Sequence, residues 1–322
     1  PMIGLYGAFM MGIVTSIFGG RPGMISGATG AMAVVMINML KEATQVGEQL
    51  GMEYLNLQWL FITLLMVGVI QILAGVFKLG KFVRLIPHPV MMGFVNGLAI
   101  VIFMSQLGMF TEVINGEKVM MQDNSLYIMI GFVALTMGIM WGLPKLTKKI
   151  PSALTAIIVV AAITILGGIN VATVGSFISD GGGKGLAGSL PRFDEYNMFS
   201  VFHTMEGHWG TIISTAFLLA AVGLIESLMT LNLVDEITET RGNGNRECIA
   251  QGSANILNGF FGGMGGCAMI GQSIINVTSG GRGRLSGIVA SVALLIFILW
   301  GAPIIEQIPI AALVGVMFMV VV

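Results

Sequence analysis

The sequence predicts an all-α polytopic membrane protein in which two segments are interrupted at membrane depth. Of its 322 residues, 55% are hydrophobic and only 10% are charged, whereas soluble domains carry about 25% charged residues. Apolar runs recur along the chain, and several approach the roughly 20 residues that a spanning helix needs. Two glycine-rich stretches, residues 18–30 and 260–281, interrupt this pattern.

The second of these stretches, residues 260–281, reads FFGGMGGCAMIGQSIINVTSGG. It is too rich in glycine to cross a bilayer as one helix. We expect residues 262–270 to be extended and residues 271–279 to form a half-helix at the membrane midplane. The first N–H groups of such a helix have no partners within it, and its N-terminus carries about +0.5 of an elementary charge. This end of the helix therefore favours an anion.

The first stretch follows the same plan, because it also starts with Phe-Gly-Gly and then opens a helix at about Ala28, with Thr29 in its first turn. Irregular backbone inside a membrane has to be satisfied by protein or by a watery cavity. Two interrupted segments in matching positions of two halves are typical of a transporter's substrate site. The competing interpretation is a pair of tight loops between ordinary helices.

The rest of the chain divides into predicted spans and polar loops. Residues 41–53 and 111–124 are predicted to be loops, and Asn243-Gly244 to be a turn. Residues 171–208 are too polar to enter lipid, and residues 235–247 are charged and polar. Spans are predicted at residues 3–18, 55–77, 90–109, 126–143, 153–169, 211–234, 248–260, 285–300 and 304–322.

The distribution of Lys and Arg predicts an orientation. If residues 3–18 run toward the cytoplasm, eleven basic residues lie inside and four outside, in agreement with the positive-inside rule. The two half-helices then meet N-terminus to N-terminus, as in an inverted repeat. The inside set is Arg21, Lys78, Lys81, Arg84, Lys145, Lys148, Lys149, Arg241, Arg246, Arg282 and Arg284, and the outside set is Lys41, Lys118, Lys184 and Arg192.

Glu226 is the one acidic residue deep within a predicted span. Ionisable residues inside a membrane are costly and are functional by default. Thr230 lies one helical turn further on, so its hydroxyl shares the carboxylate's face. Together with backbone carbonyls near Gly271, these oxygens suit a Na⁺ ion, or Glu226 carries a proton that enters with the anion. The alternative is a protonated glutamate that only holds helices together.

Thr29, Gln272 and Ser273 place neutral donors beside the two helix starts. Neutral donors can replace an anion's hydration shell without trapping the anion, and transport requires release as well as binding. For each residue singly, the alternative is a helix cap. Asn276 is predicted to be a packing residue rather than a ligand.

Several function classes are disfavoured. The net charge is −1, which gives no indication of nucleic-acid binding, and neither the two cysteines nor the three histidines have metal-ligand spacing. No phosphate-binding loop motif and no nucleophile–base pair is present, so we expect neither an enzyme nor a bound cofactor beyond a coupling ion.

The chain resembles the membrane domain of the sulfate permease (SulP) family, which includes solute-carrier family 26 and the cyanobacterial bicarbonate transporters. The resemblance covers essentially the whole chain. Its motifs are residues 1–6 (PMIGLY), 26–31 (SGATGA), 88–94 (HPVMMGF), 96–97, 106–108, 225–228 (IESL), 235–236, Gly252, Asn255, residues 271–276 (GQSIIN) and 280–281.

The resemblance implies a fold of fourteen helices in a seven-plus-seven inverted repeat, commonly a homodimer. Its core elements correspond to residues 1–80 and 210–301, and its gate elements to residues 81–171 and 302–322. The chain opens on Pro1 and ends inside an apolar run, so we expect a piece of a longer protein. The family pattern then lacks its first helix, its last two helices and its STAS domain here.

The resemblance also implies site residues. The anion is expected between Ala28-Thr29 and Gly271-Gln272-Ser273, with Glu226 at the acidic position of the eighth helix. Many family members carry Arg where this chain has Gln272, which makes cation coupling through Glu226 more useful.

The sequence therefore predicts a secondary active transporter of sulfate or bicarbonate in a bacterial inner membrane, coupled to Na⁺ or H⁺. The alternatives are a dicarboxylate or nucleobase transporter of related fold, and a membrane sensor or scaffold that transports nothing.

Overall fold

The computed structural model describes residues 2–81, 88–114, 117–121, 123–147, 150–180 and 190–321. In chain order its elements are α1 (Met2–Phe18), β1 (Ser26–Ala28), α2 (Gly30–Leu50), α3 (Leu55–Val76), α4 (His88–Leu107), β2 (Thr111–Ile114), β3 (Glu117–Met120), α5 (Asp123–Leu146), α6 (Ser152–Leu166), α7 (Val174–Asp180), a 3₁₀ helix (Met198–Met205), α8 (Trp209–Thr238), α9 (Gly244–Phe260), β4 (Gly266–Ala268), α10 (Ile270–Thr278), α11 (Arg284–Trp300), α12 (Ala302–Glu306) and α13 (Ile310–Val321).

The chain forms two compact units. The first comprises Pro1–Met91 and Ser189–Ile298, and the second comprises Met92–Gly188 and Leu299–Val322. Both broken stretches and Glu226 belong to the first unit. The assignment of a core and a gate that move against each other stays a prediction.

Three helices in the described part of the chain are long and apolar enough to cross a membrane. They are Leu55–Val76, Asn124–Leu146 and Trp209–Thr238. Shorter apolar helices occur at Met2–Phe18, Ser152–Leu166, Arg284–Trp300 and Ile310–Met319.

Glycines allow α3 and α9 of the first unit to pack backbone against backbone. A Cβ atom added to Gly252 of α9 would lie 2.5 Å from the carbonyl oxygen of Gly68 and 2.8 Å from the backbone nitrogen of Ile72. Small residues permit such close approach between membrane helices. The core of this unit lies between α2, α3 and α8, where Met32, Trp59 and Leu219 are fully buried.

The second unit has its own apolar core. The helices α5, α6 and α13 pack together through Phe132, Val160 and Ala311. A backbone bridge joins Thr173, just before α7, to Pro309, just before α13.

The two broken stretches lie side by side. Strands β1 and β4 pair antiparallel, with Ser26 opposite Ala268, Gly27 opposite Cys267 and Ala28 opposite Gly266. The prediction that both stretches break and meet is confirmed. Because the strands run in opposite directions, α2 and α10 leave the paired strands at opposite ends.

The two helices that follow these strands differ in length. Helix α10 has 9 residues, whereas α2 has 21 residues. Helix α2 therefore extends past the predicted start of the loop at residue 41, and its description as a half-helix at the midplane stays a prediction. At 1.5 Å per residue α2 is about 31 Å long. The predicted loop at residues 41–53 is helical as far as Leu50, because its Lys, Glu, Gln and Ala residues favour a helix outside lipid as well. Gly51, with φ 69°, ends the helix in a left-handed conformation.

Two other predictions, the loop at residues 111–124 and the unbroken last span, were wrong. The loop at residues 111–124 contains the hairpin β2–β3, which the β-branched residues on either side of Asn115-Gly116 favour. The polar segment at residues 171–208, for which the sequence analysis predicted no helix, contains α7 and the 3₁₀ helix. The last span is divided into α12 and α13, because Pro309 cannot donate a helical hydrogen bond and disfavours helix at the residue before it.

The end of α8 and the start of α9 also differ from the prediction. Helix α8 continues to Thr238, and Asn243 is not in a turn but caps α9 by accepting a hydrogen bond from the backbone N–H of Arg246. Arg84, Lys148, Lys149 and Lys184 from the orientation argument lie outside the described residues. The predicted orientation stays a prediction.

Candidate functional site

The outer edge of β4 is satisfied by polar side chains from neighbouring helices. Ser227 of α8 accepts a hydrogen bond from the backbone N–H of Ala268 at 3.1 Å. Asn255 of α9 accepts from the N–H of Gly266 at 3.0 Å and donates to its carbonyl oxygen at 3.2 Å. Both side chains are fully buried. Protein groups thus meet the backbone's hydrogen-bonding needs where no lipid could do so.

Two buried glutamines extend this polar network. Gln71 of α3 accepts a hydrogen bond from the Asn255 side-chain amide at 2.9 Å. Gln251 of α9 donates to the Ser26 hydroxyl at 2.9 Å and to Glu247 at 2.8 Å. The sequence analysis missed both glutamines, although Gln71 is a polar interruption in an otherwise apolar span.

Glu226 lies in α8 with only 6% of its surface exposed. Its carboxylate oxygen Oε2 is 2.9 Å from the thiol sulfur of Cys267 in β4. Thr230 is fully buried one turn further on, and its hydroxyl donates to the backbone carbonyl of Glu226 at 2.8 Å. The hydroxyl hydrogen of Thr230 is therefore used within α8, while its oxygen keeps lone pairs for another partner.

Thr29 caps the N-terminus of α2. Its hydroxyl oxygen accepts from the backbone N–H of Met32 at 3.5 Å, and it lies 3.2 Å from the sulfur of Cys267. Ala28, at the end of β1, is half-buried, whereas Gly30 at the start of the helix is exposed. The capping role is thus observed, and contact between Thr29 and an anion stays a prediction.

The predicted residues of α10 fall into two groups. Gly271 and Gln272 are exposed, and a Cβ atom on Gly271 would meet nothing within 4 Å. Ser273 is fully buried, accepts from the backbone N–H of Ile25 at 3.0 Å and donates to the carbonyl oxygen of Ile25 at 3.3 Å. The Ser273 hydroxyl thus ties α10 to the residue before β1, and its contact with an anion stays a prediction.

Asn276, predicted to be a packing residue, holds the end of α10 in place. Its side-chain amide donates to the carbonyl oxygen of Gly23 at 2.9 Å and to the Ser286 hydroxyl at 2.9 Å.

Charged side chains fix the segment that leads into β1. Arg21 forms an ion pair with Asp235 at 3.1 Å and donates to Thr238, to Thr240 and to the Val234 carbonyl near the end of α8. Glu247 accepts from the backbone N–H of Gly20 at 2.7 Å. A cation at a helix C-terminus is favourable because the helix dipole is negative there.

Arg284 has the same function at the end of α1. Its guanidinium donates to the carbonyl oxygens of Ser16, Ile17 and Gly19 at 2.7–3.0 Å. Arg21 and Arg284, which the sequence analysis counted only for orientation, therefore also position the broken segment.

Within the described residues, no group of three or more His, Cys, Asp and Glu could hold a metal ion, and both cysteines are free. What the first unit does contain is a pair of interrupted membrane segments beside the buried carboxylates of Glu226 and Glu247. This arrangement defines an integral membrane protein of the class that includes the secondary transporters.

Comparison with known proteins gives the family. The family model described as "Sulfate permease family" matches residues 1–322. The chain therefore belongs to the sulfate permease family, and the resemblance seen in its motifs is confirmed.

Two curated relatives have named substrates. YbaR of Bacillus subtilis, named a putative sulfate transporter, is 42% identical over 320 residues, which cover 99% of this chain and 60% of YbaR. The bicarbonate transporter BicA of Synechocystis is 31% identical over 329 residues, which cover 98% of this chain and 55% of BicA. The chain thus spans little more than half the length of these relatives.

A solved structure shows the same fold. The transmembrane domain of a cyanobacterial BicA superposes with a TM-score of 0.80 at 29% identity, covering 99% of this chain and 80% of that one.

Proposed function

We propose that this protein is a secondary active transporter of a small inorganic anion, sulfate or bicarbonate, coupled to Na⁺ or H⁺. The observation that carries the proposal is the antiparallel pairing of β1 with β4. This pairing brings the starts of α2 and α10 to the two ends of one short pair of strands, beside the buried Glu226. The names of YbaR and BicA support sulfate and bicarbonate as the candidate anions.

The anion binds through the first turns of the two helices. The first backbone N–H groups of a helix have no partners within it, and the helix dipole adds positive potential there. Gly30, Gly271 and Gln272 are exposed at these two starts, so an oxyanion can approach the backbone closely. In this proposal Ala28 and Thr29 line one side and Ser273 supports the other.

The coupling cation neutralises Glu226. An ionised carboxylate that is 6% exposed would oppose an anion held nearby, and charges lose water's screening inside a protein. The Glu226 carboxylate and the Thr230 hydroxyl are hard oxygen ligands of the type that Na⁺ prefers, and a carboxylate can equally take up a proton. Gly271 belongs to α10, which packs against α8, and would complete a Na⁺ site with a backbone oxygen.

Transport by alternating access requires one part of the fold to move against another. We assign the core to residues 1–80 and 210–301 and the gate to residues 81–171 and 302–322, within a seven-plus-seven repeat and a homodimer. The division of the chain into two compact units supports this assignment.

The experiment is uptake of radiolabelled sulfate and bicarbonate into proteoliposomes that contain the full-length protein. Uptake is measured with no gradient, with an inward Na⁺ gradient and with an inward H⁺ gradient. We expect one of the two anions to accumulate, and only with one of the gradients. Absence of uptake of both anions would contradict the proposal. If anion uptake is measured but is inhibited only by an excess of a C4-dicarboxylate or a nucleobase, the substrate would be reassigned.

A further inference from the structure

The cysteine at the centre of the paired strands connects the two candidate sites. Cys267 is fully buried in β4, opposite Gly27 of β1. Its sulfur is 2.9 Å from Oε2 of Glu226 on one side and 3.2 Å from the hydroxyl oxygen of Thr29 on the other. The three side chains thus form one hydrogen-bonded chain from α8 through β4 to the cap of α2.

The number of hydrogens in this chain limits what Thr29 can do. A thiol and a hydroxyl each carry one hydrogen, and an ionised carboxylate only accepts. While Glu226 is ionised and free of a cation, the Cys267 thiol donates to Oε2. Thr29 is then left to donate to the sulfur, so its only hydrogen is occupied. In this state an anion at the start of α2 can accept that hydrogen only if the hydrogen bond between Thr29 and Cys267 breaks.

A cation on Glu226 reverses the direction of the hydrogen bond between Cys267 and Thr29. A cation bound to the Glu226 carboxylate draws electron density from its oxygens and so weakens the hydrogen bond that the thiol donates to Oε2. The thiol hydrogen can then turn to the hydroxyl oxygen of Thr29, which frees the hydroxyl hydrogen of Thr29. A thiol is a weak donor and a weak acceptor, so this exchange breaks no strong bond.

We propose that Cys267 is a positioning residue that links cation occupancy at Glu226 to the ability of Thr29 to donate a hydrogen bond to the transported anion. This inference rests on the proposed function and adds a coupling element to it. Cation and anion then bind cooperatively, and by thermodynamic linkage each increases the affinity for the other by the same factor.

A purely packing role for Cys267 leads to a different expectation. Cys267 belongs to the apolar core with Met32, Leu219 and Ala220. If it only fills space there, truncating it lowers stability and leaves the linkage between cation and anion unchanged. The linkage factor therefore separates the two roles, whereas stability does not.

The test measures sulfate and bicarbonate affinity of the purified full-length protein by titration calorimetry under three conditions. The first buffer contains a bulky organic cation at pH 7.5 and supplies no coupling cation. The second contains Na⁺ at pH 7.5, and the third contains the organic cation at pH 5.5 to supply H⁺ (for sulfate only). The linkage factor is the ratio of Kd without and with the coupling cation. For the wild type we expect a factor of about 5 or more, the usual lower range for allosteric coupling.

Three cysteine variants are compared. Cys267→Ala removes both links, so its factor should fall at least about twofold below the wild-type factor, while the direct electrostatic coupling between Glu226 and the anion remains. Cys267→Ser keeps one hydrogen and two lone pairs and should restore the wild-type factor. Cys248→Ala is the matched control, because Cys248 is an equally buried free cysteine that packs on Leu228.

The outcomes separate the inference from the function on which it rests. If the wild type binds and transports an anion with coupling, and Cys267→Ala keeps the wild-type factor, the inference is overturned and the proposed function stands. If the wild type neither binds nor transports either anion, the proposed function fails. If Cys267→Ala is not monodisperse, Thr29→Val breaks the other link, and an unchanged factor in that variant also overturns the inference.

Discussion

Thr29 and Cys267 are 238 residues apart in the sequence, yet the hydroxyl oxygen of one lies 3.2 Å from the sulfur of the other. Each belongs to one of the two interrupted segments. Their contact shows that the two segments form a single local structure, in which a group on one can respond to a group on the other.

The buried carboxylate should determine cation coupling. We expect Glu226→Gln to remove the dependence of anion uptake on the Na⁺ or H⁺ gradient, because the amide of Gln carries no negative charge for a cation to neutralise. Initial rates in proteoliposomes with and without the gradient measure this. Glu48→Gln, at an exposed position of α2, is the control and should behave as the wild type does. Gradient-driven uptake that persists at the wild-type rate in Glu226→Gln would remove the coupling proposal.

The side chain of Asn255 should stabilise the paired strands. Asn255→Ala removes two hydrogen bonds to Gly266 and one to Gln71, and leaves buried groups unpaired. Because an unsatisfied buried group costs about 1–3 kcal/mol, we expect the variant to lose about 2–4 kcal/mol of stability. Thermal unfolding in detergent measures the loss. Ser253→Ala on the same helix removes only a bond to the Ile249 carbonyl within α9 and should change stability little.

Close packing of α3 against α9 should make Gly252 intolerant of a side chain. Gly252→Ala places a methyl group 2.8 Å from the backbone nitrogen of Ile72, where only backbone movement can relieve the overlap. We expect destabilisation by about 1–3 kcal/mol, the usual cost of overpacking. Gly131→Ala, where a Cβ atom meets nothing within 4 Å in the exposed part of α5, is the matched control. It should be neutral or stabilising by up to about 1 kcal/mol. Equal melting temperatures of the two variants would contradict this account of the packing.

The ion pair between Arg21 and Asp235 should hold the segment that enters β1. The two side chains are only 7% and 14% exposed, so Arg21→Met leaves a largely buried carboxylate without its partner. Breaking a buried pair in this way costs about 3–5 kcal/mol, and we expect a loss of stability near the lower end of this range. Arg282→Met, at an exposed position, is the control and should cost less than about 1 kcal/mol. If unfolding measurements show the same loss of stability in both variants, the ion pair between Arg21 and Asp235 does not hold this segment.

Some features could be predicted from residue types alone. The clusters of glycine at residues 18–30 and 260–281 cannot continue an apolar helix, so the two interruptions follow from local backbone preferences. Glu226 could also be recognised from its residue type, since a charged residue within an apolar run needs a partner or a function. The errors occurred where the sequence shows polarity but not conformation. The polar half of α2 leaves the apolar region and remains helical, and the polar stretch at residues 111–124 contains a hairpin.

The sequence by itself determined the membrane class, the two interruptions, the buried carboxylate and, through its motifs, the family, because each of these depends on composition or on residues that are neighbours in the chain. Only the tertiary structure decided that β1 pairs with β4 in a register that places Cys267 between Thr29 and Glu226. It also decided that Ser273 is bound to Ile25 and that Asn255 and Gln71 hold the strands. These contacts join residues that are far apart in the chain, and pairing register and side-chain partners depend on how the helices pack, which local sequence patterns do not specify.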